Sequence, residues 1–390
     1  MAKTRVFHFL GSGGGGVLSV VCNLLKYSVN ADIENHVIYT VNKSVAPHFK
    51  PYQLTGAVTE QVFFYSANWN FYYTCKQLLK LLPGPDVVIV AHDWIELGMV
   101  SNLGLQNPVI QVLHGDFEYY YGLSLKHKDG IDAFLSISPT ISENLKSIVP
   151  QYADKIYNLR FSVPAVSAIK KNNKQLRLIY YVRDLSEDRK QFKVVVEIAR
   201  LLSYSKDDFF FTIAGGGLTN DEFFKQWPAA MVANVIFAGL KTNEEMLTIL
   251  QKHDIFLLPS LAEGFPVSLV EAMKAGLVPL VTNWAGAVDE LVAPGVTGYY
   301  FSAGASNDYA DCIRMLNKER LLLQTLSRNS VERANRLFDP VENTRRIEEL
   351  LIALTAKNRN HKKKIKIYGS RLDKKRMPNI LTSIYRSLLK

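Results

Sequence analysis

Short apolar runs alternate with longer amphipathic ones along most of this chain. RVFHFL (5–10), NHVIYTV (35–41), DVVIVA (86–91), PVIQVL (108–113) and AFLSIS (133–138) are rich in Val, Ile and Phe and read as buried strands. Between them, GVLSVVCNLLKYSV and FYYTCKQLLKLL repeat apolar residues at helical spacing. Such alternation predicts βαβ units and a parallel sheet with helices on both faces. The pattern stops at SVPAVSAIKKNNKQ (162–175), a polar stretch that reads as a linker, and then restarts. LRLIYYV, FFFTIAG, VIFAGL, DIFLLPS and VPLVTN read as strands, and KVVVEIARLLSYS, NEEMLTILQKH and PVSLVEAMKAG as helices. A last amphipathic helix, DPVENTRRIEELLIALTA (339–356), has Asp339 at its cap position and Pro340 as its first residue. The predicted organisation is an α/β domain over residues 1–165, a second over 166–338, a closing helix over 339–356 and a tail over 357–390. Ligands of doubly wound sheets bind beyond the carboxyl ends of the strands, so a cleft between the domains is the expected site.

Composition alters this picture at one end only. With 390 residues, 48% hydrophobic and 21% charged, the chain resembles an ordinary soluble two-domain protein. The net charge of +10 comes from 46 Lys and Arg against 36 Asp and Glu. Residues 357–390 hold 12 of those bases and a single acid, Asp373, leaving 34 bases against 35 acids in the rest. An anionic partner therefore concerns the tail alone. Cys22, Cys75 and Cys312 are scattered, which argues against a zinc site or a disulfide framework and suits a reducing compartment. The opening residues lack the apolar core of a secretory leader, and no apolar run approaches the roughly 20 residues of a spanning helix. The expected localisation is cytoplasmic, with the tail available to the inner face of a membrane.

Five stretches carry candidate chemistry, all at predicted strand ends. GSGGGG (11–16) lies between a strand and a helix, where backbone N–H groups approach a ligand. Its G-x-G-x-x-G match arises because glycine fills the run, and Asn42 stands where a dinucleotide fold expects an acid, so the motif is weak and a tight turn is the alternative reading. His92-Asp93 and His114-Gly115-Asp116 end two strands and read either as satisfied structural histidines or as ligands. YVRDLSEDRK puts Arg183 at a strand end and Arg189-Lys190 at the start of the next helix, cations that suit a diphosphate or merely a solvated loop. Gly215, Gly216 and Gly217 form a second glycine turn. Finally, EGFPVSLVE (263–271) brackets a helix start with two carboxylates. Gly264 to Val267 would aim free N–H groups at an anion; Glu263 and Glu271 read either as acceptors of hydrogen bonds from hydroxyls or, taken as a pair alone, as a carboxylate favoured by the helix dipole and an exposed helix Glu.

Taken together, HDIFLLPSLAEGFPVSLVEAMKAGLVPLVTNWAGAVDELVAPGVTGYYF resembles the signature region of the retaining family-4 glycosyltransferases, whose hallmark is a Glu, seven residues, then a Glu. The resemblance runs through HDW, the His-Gly pair, the glycine turns and YVRDLSEDRK, over roughly residues 5 to 355. It implies the two-domain GT-B fold, a UDP-, GDP- or ADP-sugar donor, a glycan or lipid-linked acceptor, and neither cofactor nor metal. Glu271 would hold the ribose hydroxyls and Glu263 the donor sugar. Arg183 and Lys190, or Arg189 in its place, would neutralise the diphosphate. Gly264, Phe265, Pro266, Val267 and Ser268, with Gly215 and Gly216, would contact the donor, as would Gly13, Gly14, Gly15 and Gly16 from the other domain. His114 would lie by the reacting sugar, stabilising an oxocarbenium-like transition state in a front-face mechanism.

Three departures from the family pattern bear on these roles: Val182 before the strand-end Arg, Arg189-Lys190-Gln191 in place of a Lys followed by Gly, and Ala285-Gly286 for a Gly pair. Other functions open on the same fold are a non-catalytic sugar-nucleotide-binding scaffold and a nucleotide-sugar epimerase. The tail, with its HKKKIKIYGSRLDKKR run and amphipathic ILTSIYRSLLK end, suits an anionic membrane surface or a solvated extension; nucleic acid is not expected as a partner.

Overall fold

The computed structural model describes residues 3–166, 174–204, 209–284, 288–356 and 370–388. Most of the linker stretch, Ala285-Gly286 and the first part of the basic tail lie outside them. The chain forms two compact units, one of Met1–Ser162 with Pro340–Lys390 and the other of Val163–Asp339.

In the first unit β1 (Thr4–Gly11), β2 (Ile33–Asn42), β3 (Ala57–Tyr65), β4 (Val88–Ala91), β5 (Val109–Leu113), β6 (Ala133–Ser136) and β7 (Ile156–Asn158) form one sheet. Its order is β3-β2-β1-β4-β5-β6-β7, and every neighbour pair is parallel. Helices α1 (Gly16–Lys26), α2 (Phe71–Leu79), α3 (Trp94–Leu103), α4 (Glu118–His127) and α5 (Pro139–Ile148) connect the strands. β4 and β5 are buried along their whole length, because a sheet covered on both faces needs apolar residues at every position rather than every second one. β3 and β7 were not predicted. They are the edges, and β3 carries Thr59, Glu60 and Gln61 with only Phe63 buried, so its sequence lacks the continuous apolar run.

In the second unit β8 (Leu176–Asp184), β9 (Phe209–Gly216), β10 (Val235–Gly239), β11 (Ile255–Leu258), β12 (Val278–Thr282) and β13 (Tyr299–Phe301) are ordered β10-β9-β8-β11-β12-β13. The helices are α6 (Phe192–Ser203), α7 (Asn220–Gln226), α8 (Asn243–Leu250), α9 (Val267–Lys274), α10 (Val288–Leu291), α11 (Ser306–Lys318) and α12 (Arg320–Leu337). The expected helix start at Arg189-Lys190 is corrected. Asp188–Lys190 form a separate 3-10 turn, Gln191 takes a left-handed conformation (φ 58°, ψ 43°), and α6 begins only at Phe192. The fully buried Lys274 donates to the carbonyls of Val163 (2.6 Å) and Phe338 (2.7 Å), tying the two ends of this unit together.

Both sheets reverse direction at the same place, between β1 and β4 and between β8 and β11. That reversal opens a crevice at the carboxyl ends of the strands, where doubly wound folds bind ligands.

After the second unit the chain returns to the first as α13 (Pro340–Ala356), which packs on α1, β1 and β4. Asn343 donates to the carbonyl of Phe161 (3.0 Å), the hydroxyls of Thr344 and Ser162 are 2.6 Å apart, and the buried Glu348 accepts from Ser28 (2.5 Å). The last described element is α14 (Asn379–Leu388), also in the first unit. Among the described residues no helix is long and apolar enough to cross a membrane.

Candidate active site

The site in the second unit is assembled at the β8–β11 switch point. β11 is wholly buried and runs out through Pro259 and Ser260 toward Glu263. The 3-10 turn after β8 is laced to that exit loop: Leu261 N–H donates to the Arg189 carbonyl (2.9 Å), and the Arg189 guanidinium donates to the Ala262 carbonyl (2.5 Å). From inside the sheet, the Tyr180 hydroxyl donates to the carbonyl of Lys190 (2.8 Å), while its ring stacks on Phe192. Held this way, Lys190 Nζ reaches both carboxylate oxygens of the buried Glu263, at 2.9 Å each.

The two bases are held differently. Lys190 is the direct partner of Glu263, whereas Arg189 is held by Glu187 (2.7 and 3.0 Å) and stands 3.6 Å from Glu263. Arg189 is the more exposed cation of the two. Arg183 ends β8 as predicted but is exposed and makes no ion pair with either carboxylate. The turn Gly215–Gly217 packs against the same loop. A β-carbon at Gly215 would stand 2.5 Å from the Val182 carbonyl, one at Gly217 (φ 85°) would overlap the Asp184 carboxylate, and Leu185 N–H donates to the Gly216 carbonyl (2.9 Å). These glycines let β9 close on the loop that carries Arg183.

The expected row of free N–H groups over Gly264 to Val267 is partly corrected. Val267 N–H is used within the turn, donating to the Phe265 carbonyl (2.9 Å), and Pro266 has no N–H to offer. Phe265 anchors the turn by packing its ring on Phe338. Gly264 and Ser268 retain N–H groups without a partner among the described residues. One helical turn on, Glu271 is buried on α9 with no hydrogen-bond partner for its carboxyl group among the described residues. Burial alone pushes that carboxyl group up to about 7. It also helps, after burial itself, to push the nearby Tyr181 hydroxyl up to about 12. Glu263 and Glu271 thus differ in kind: one is charge-compensated, the other a desolvated acceptor awaiting a donor.

In the first unit, the loop after β1 leads through Ser12 to Gly15, which caps α1 at φ 108°. A β-carbon at Gly13 would meet nothing within 4 Å, so the loop stands open. β4 and β5 end at His92 and His114, both buried, with His92 Nδ1 2.8 Å from His114 Nε2. His8 of β1 stacks on His92 at 5.8 Å, and His114 stacks on Phe161 at 5.4 Å. Burial lowers His114 to about 3 and His8 to about 4, and it lowers His92 well below the usual value, with His114 and His8 adding to that shift. All three rings are therefore neutral at neutral pH, so the 2.8 Å contact has one ring donating and the other accepting. Asp93 has a structural task, capping α3 in a box with Glu96, which accepts from the N–H groups of His92 (2.7 Å) and Asp93 (2.6 Å).

The sequence reading missed a cavity of about 390 Å³ in this unit, lined among others by Tyr65, Trp69, Phe71, Trp94 and Arg386. Trp94 stacks on Phe71 at 5.0 Å. The aromatic density of NWNFYY (68–73) was the available signal. Among the described residues no group of three or more His, Cys, Asp or Glu is gathered as a metal site.

Two Rossmann-like units with charged residues at the switch point define a GT-B architecture. Residues 164–333, nearly all of the second unit, match the model of the family described as glycosyl transferases group 1. Along nearly its whole length the chain is similar to the D-rhamnosyltransferase WbpZ of Pseudomonas aeruginosa, 24% identical over 355 residues covering 86% of this chain and 92% of that protein. It is also similar to the N,N'-diacetylbacillosaminyl-diphospho-undecaprenol alpha-1,3-N-acetylgalactosaminyltransferase of Campylobacter jejuni, 24% identical over 294 residues, 68% of this chain and 76% of that one. Among solved structures, Anabaena Alr3699/HepE in complex with UDP shares the fold, with a TM-score of 0.70 at 14% identity over 90% of this chain and 100% of that chain.

Proposed function

We propose that this chain transfers a sugar, with retention of anomeric configuration and without a metal, from a nucleotide-diphosphate-sugar to a glycan or lipid-linked acceptor. The observation that carries the reading is the compensated Lys190–Glu263 pair standing eight residues before a buried Glu271 whose carboxyl group has no hydrogen-bond partner among the described residues. A diphosphate meets no net negative charge at such a pair, and Lys190 with the more exposed Arg189 neutralises the leaving group. Arg183, exposed and without an ion pair among the described residues, is a further cation for the same phosphates. Glu263 then turns its oxygens to donor-sugar hydroxyls, and Glu271 accepts from the ribose diol. Backbone N–H groups of Gly264 and Ser268 add two donors, and in the first unit the open Gly13–Gly16 loop is a candidate phosphate contact in its own right.

No protein base is needed in this scheme. The leaving phosphate oxygen accepts the acceptor hydroxyl's proton as the new glycosidic bond forms on the same face, so catalysis is positioning and charge stabilisation. His114, neutral and hydrogen-bonded to His92, would offer a fixed dipole rather than a full charge. The lipid-diphosphate acceptor named for the Campylobacter relative supports a lipid-linked acceptor here. The 12 basic residues of 357–390 support an anionic membrane as the working surface. A thermal-shift screen of UDP-, GDP- and ADP-sugars identifies the donor, and NMR of the product reads its anomeric configuration. An inverted product, or Glu263→Ala with undiminished transfer, would refute the mechanism.

A further inference from the structure

The end of the basic tail is folded, and its helix has two opposite faces. On one side of α14, Asn379 accepts from Asn70 N–H (2.7 Å), and the fully buried Thr382 donates to the carbonyls of Leu372 (3.2 Å) and Pro378 (3.3 Å). On that side too, Arg386 donates to the Trp69 carbonyl (2.5 Å) and pairs with Asp373 (2.8 Å). Residues 379, 382 and 386 are spaced i, i+3, i+7, a single helical face. On the opposite side, Ile380, Leu381, Ile384, Tyr385 and Leu388 are each between 53% and 79% exposed. These positions form one continuous, mostly exposed apolar stripe.

The surroundings say what covers the stripe. Immediately before α14, Arg371, Lys374, Lys375 and Arg376 are all exposed. The only acid of residues 357–390, Asp373, is turned inward, where it accepts from Phe71 N–H (2.7 Å) as well as from Arg386. The outward surface of this segment is thus apolar flanked by unopposed positive charge. A second copy of the chain would bring an identical cluster of cations against it, whereas an anionic bilayer complements both features.

We infer that α14 is an interfacial anchor: its polar face is bonded to the first unit, and its apolar face lies among the headgroups of an anionic bilayer. Asp373 and Arg386 of the same segment line the cavity that Trp69 and Trp94 share. The anchor therefore holds that cavity against the lipid surface, with aromatic faces for a sugar ring. Delivery of a lipid-linked acceptor into the cavity rests on the transferase reading above; the membrane contact itself does not.

Flotation of the full chain with vesicles tests the contact directly, using phosphatidylcholine containing phosphatidylglycerol against phosphatidylcholine alone. The chain is expected to float with the anionic vesicles only. The double substitution Ile384→Asp, Leu388→Asp should lower partitioning by about tenfold or more, since both residues leave the apolar stripe. Lys374→Gln and Lys375→Gln should each cost about fivefold. Neither set touches the inward face, so thermal unfolding and the donor-induced thermal shift should stay as in the wild type. Undiminished flotation of the Asp variant would overturn the proposal, as would a wild-type dimer in sedimentation that this variant dissociates. A chain that floats as expected but turns over no nucleotide sugar would leave the anchor standing and refute the transferase reading instead.

Discussion

Glu271 gives a prediction whose sign and size both follow from its surroundings. Its carboxyl group is buried on α9 without a hydrogen-bond partner among the described residues, and desolvation raises it from the ordinary 4.5 to about 7. In the folded chain the group therefore keeps its proton over a range in which the unfolded chain has lost it. The native state then binds more protons, and stability falls as pH rises from about 4.5 to about 7. At ~1.4 kcal/mol for each pH unit the full loss is about 3 kcal/mol, essentially complete above the folded value. Glu271→Gln keeps the shape and removes the titration. Without nucleotide, the variant should match the wild type near pH 4 and exceed it by about 3 kcal/mol at pH 8, roughly 6 to 12 °C in the unfolding midpoint of a unit of this size. Donor binding should move oppositely. Two ribose hydroxyls donate best to the ionised carboxylate, so wild-type affinity should rise with pH through about 7, and the variant should bind weakly with a flat profile. Urea unfolding of both proteins at pH 5 and pH 8, with and without the donor from the screen, reads all four quantities. Equal pH dependence of stability in the two proteins would refute the burial argument. A steep pH profile of donor affinity retained in Glu271→Gln would refute the assignment to the ribose.

Further outcomes follow from single contacts. Lys190→Met strands the buried Glu263 carboxylate and should cost about 3 kcal/mol in urea unfolding, whereas Lys190→Met combined with Glu263→Leu should recover much of that while remaining inactive. Gly217→Ala pushes a β-carbon into the Asp184 carboxylate at a left-handed φ, so a loss of about 2 kcal/mol is expected by thermal denaturation, and an unchanged midpoint would mean the loop yields freely. Asp373→Ala removes the acceptor at the start of α2 and the partner of Arg386, a cost of about 1 kcal/mol or more, and should speed tryptic cleavage at Lys374 and Lys375; equal cleavage rates would show that the segment is held by other contacts.

What the sequence revealed and what it hid divide along a physical line. Strands such as Val88–Ala91 and Ile255–Leu258 are buried on both faces, so their burial is written into consecutive residues and is legible without knowing the neighbours. Edge strand Ala57–Tyr65 takes its place from pairing with β2 rather than from its own composition, and its mixed Thr, Glu and Gln gave no signal. The site follows the same rule. The string EGFPVSLVE carries two carboxylates and no cation, and residue chemistry there suggested hydroxyl contacts for the carboxylates and an anion at the helix start between them. The cation arrives from 73 residues upstream because β8 and β11 are neighbours at the sheet's reversal, a relation of topology. Even the polarity of each carboxylate is set this way: Glu263 meets Lys190, and Glu271, eight positions on, meets no cation among the described residues. The tail shows the limit from the other side. Its positive charge was plain in composition, but charge alone left a solvated extension and a membrane contact equally open. What the fold adds is the orientation of α14, which depends on Asn70, Trp69 and Asp373: they seat its polar face and so oblige the apolar one to look outward. A local pattern can announce an amphipathic helix, but only its docking decides which face meets the solvent.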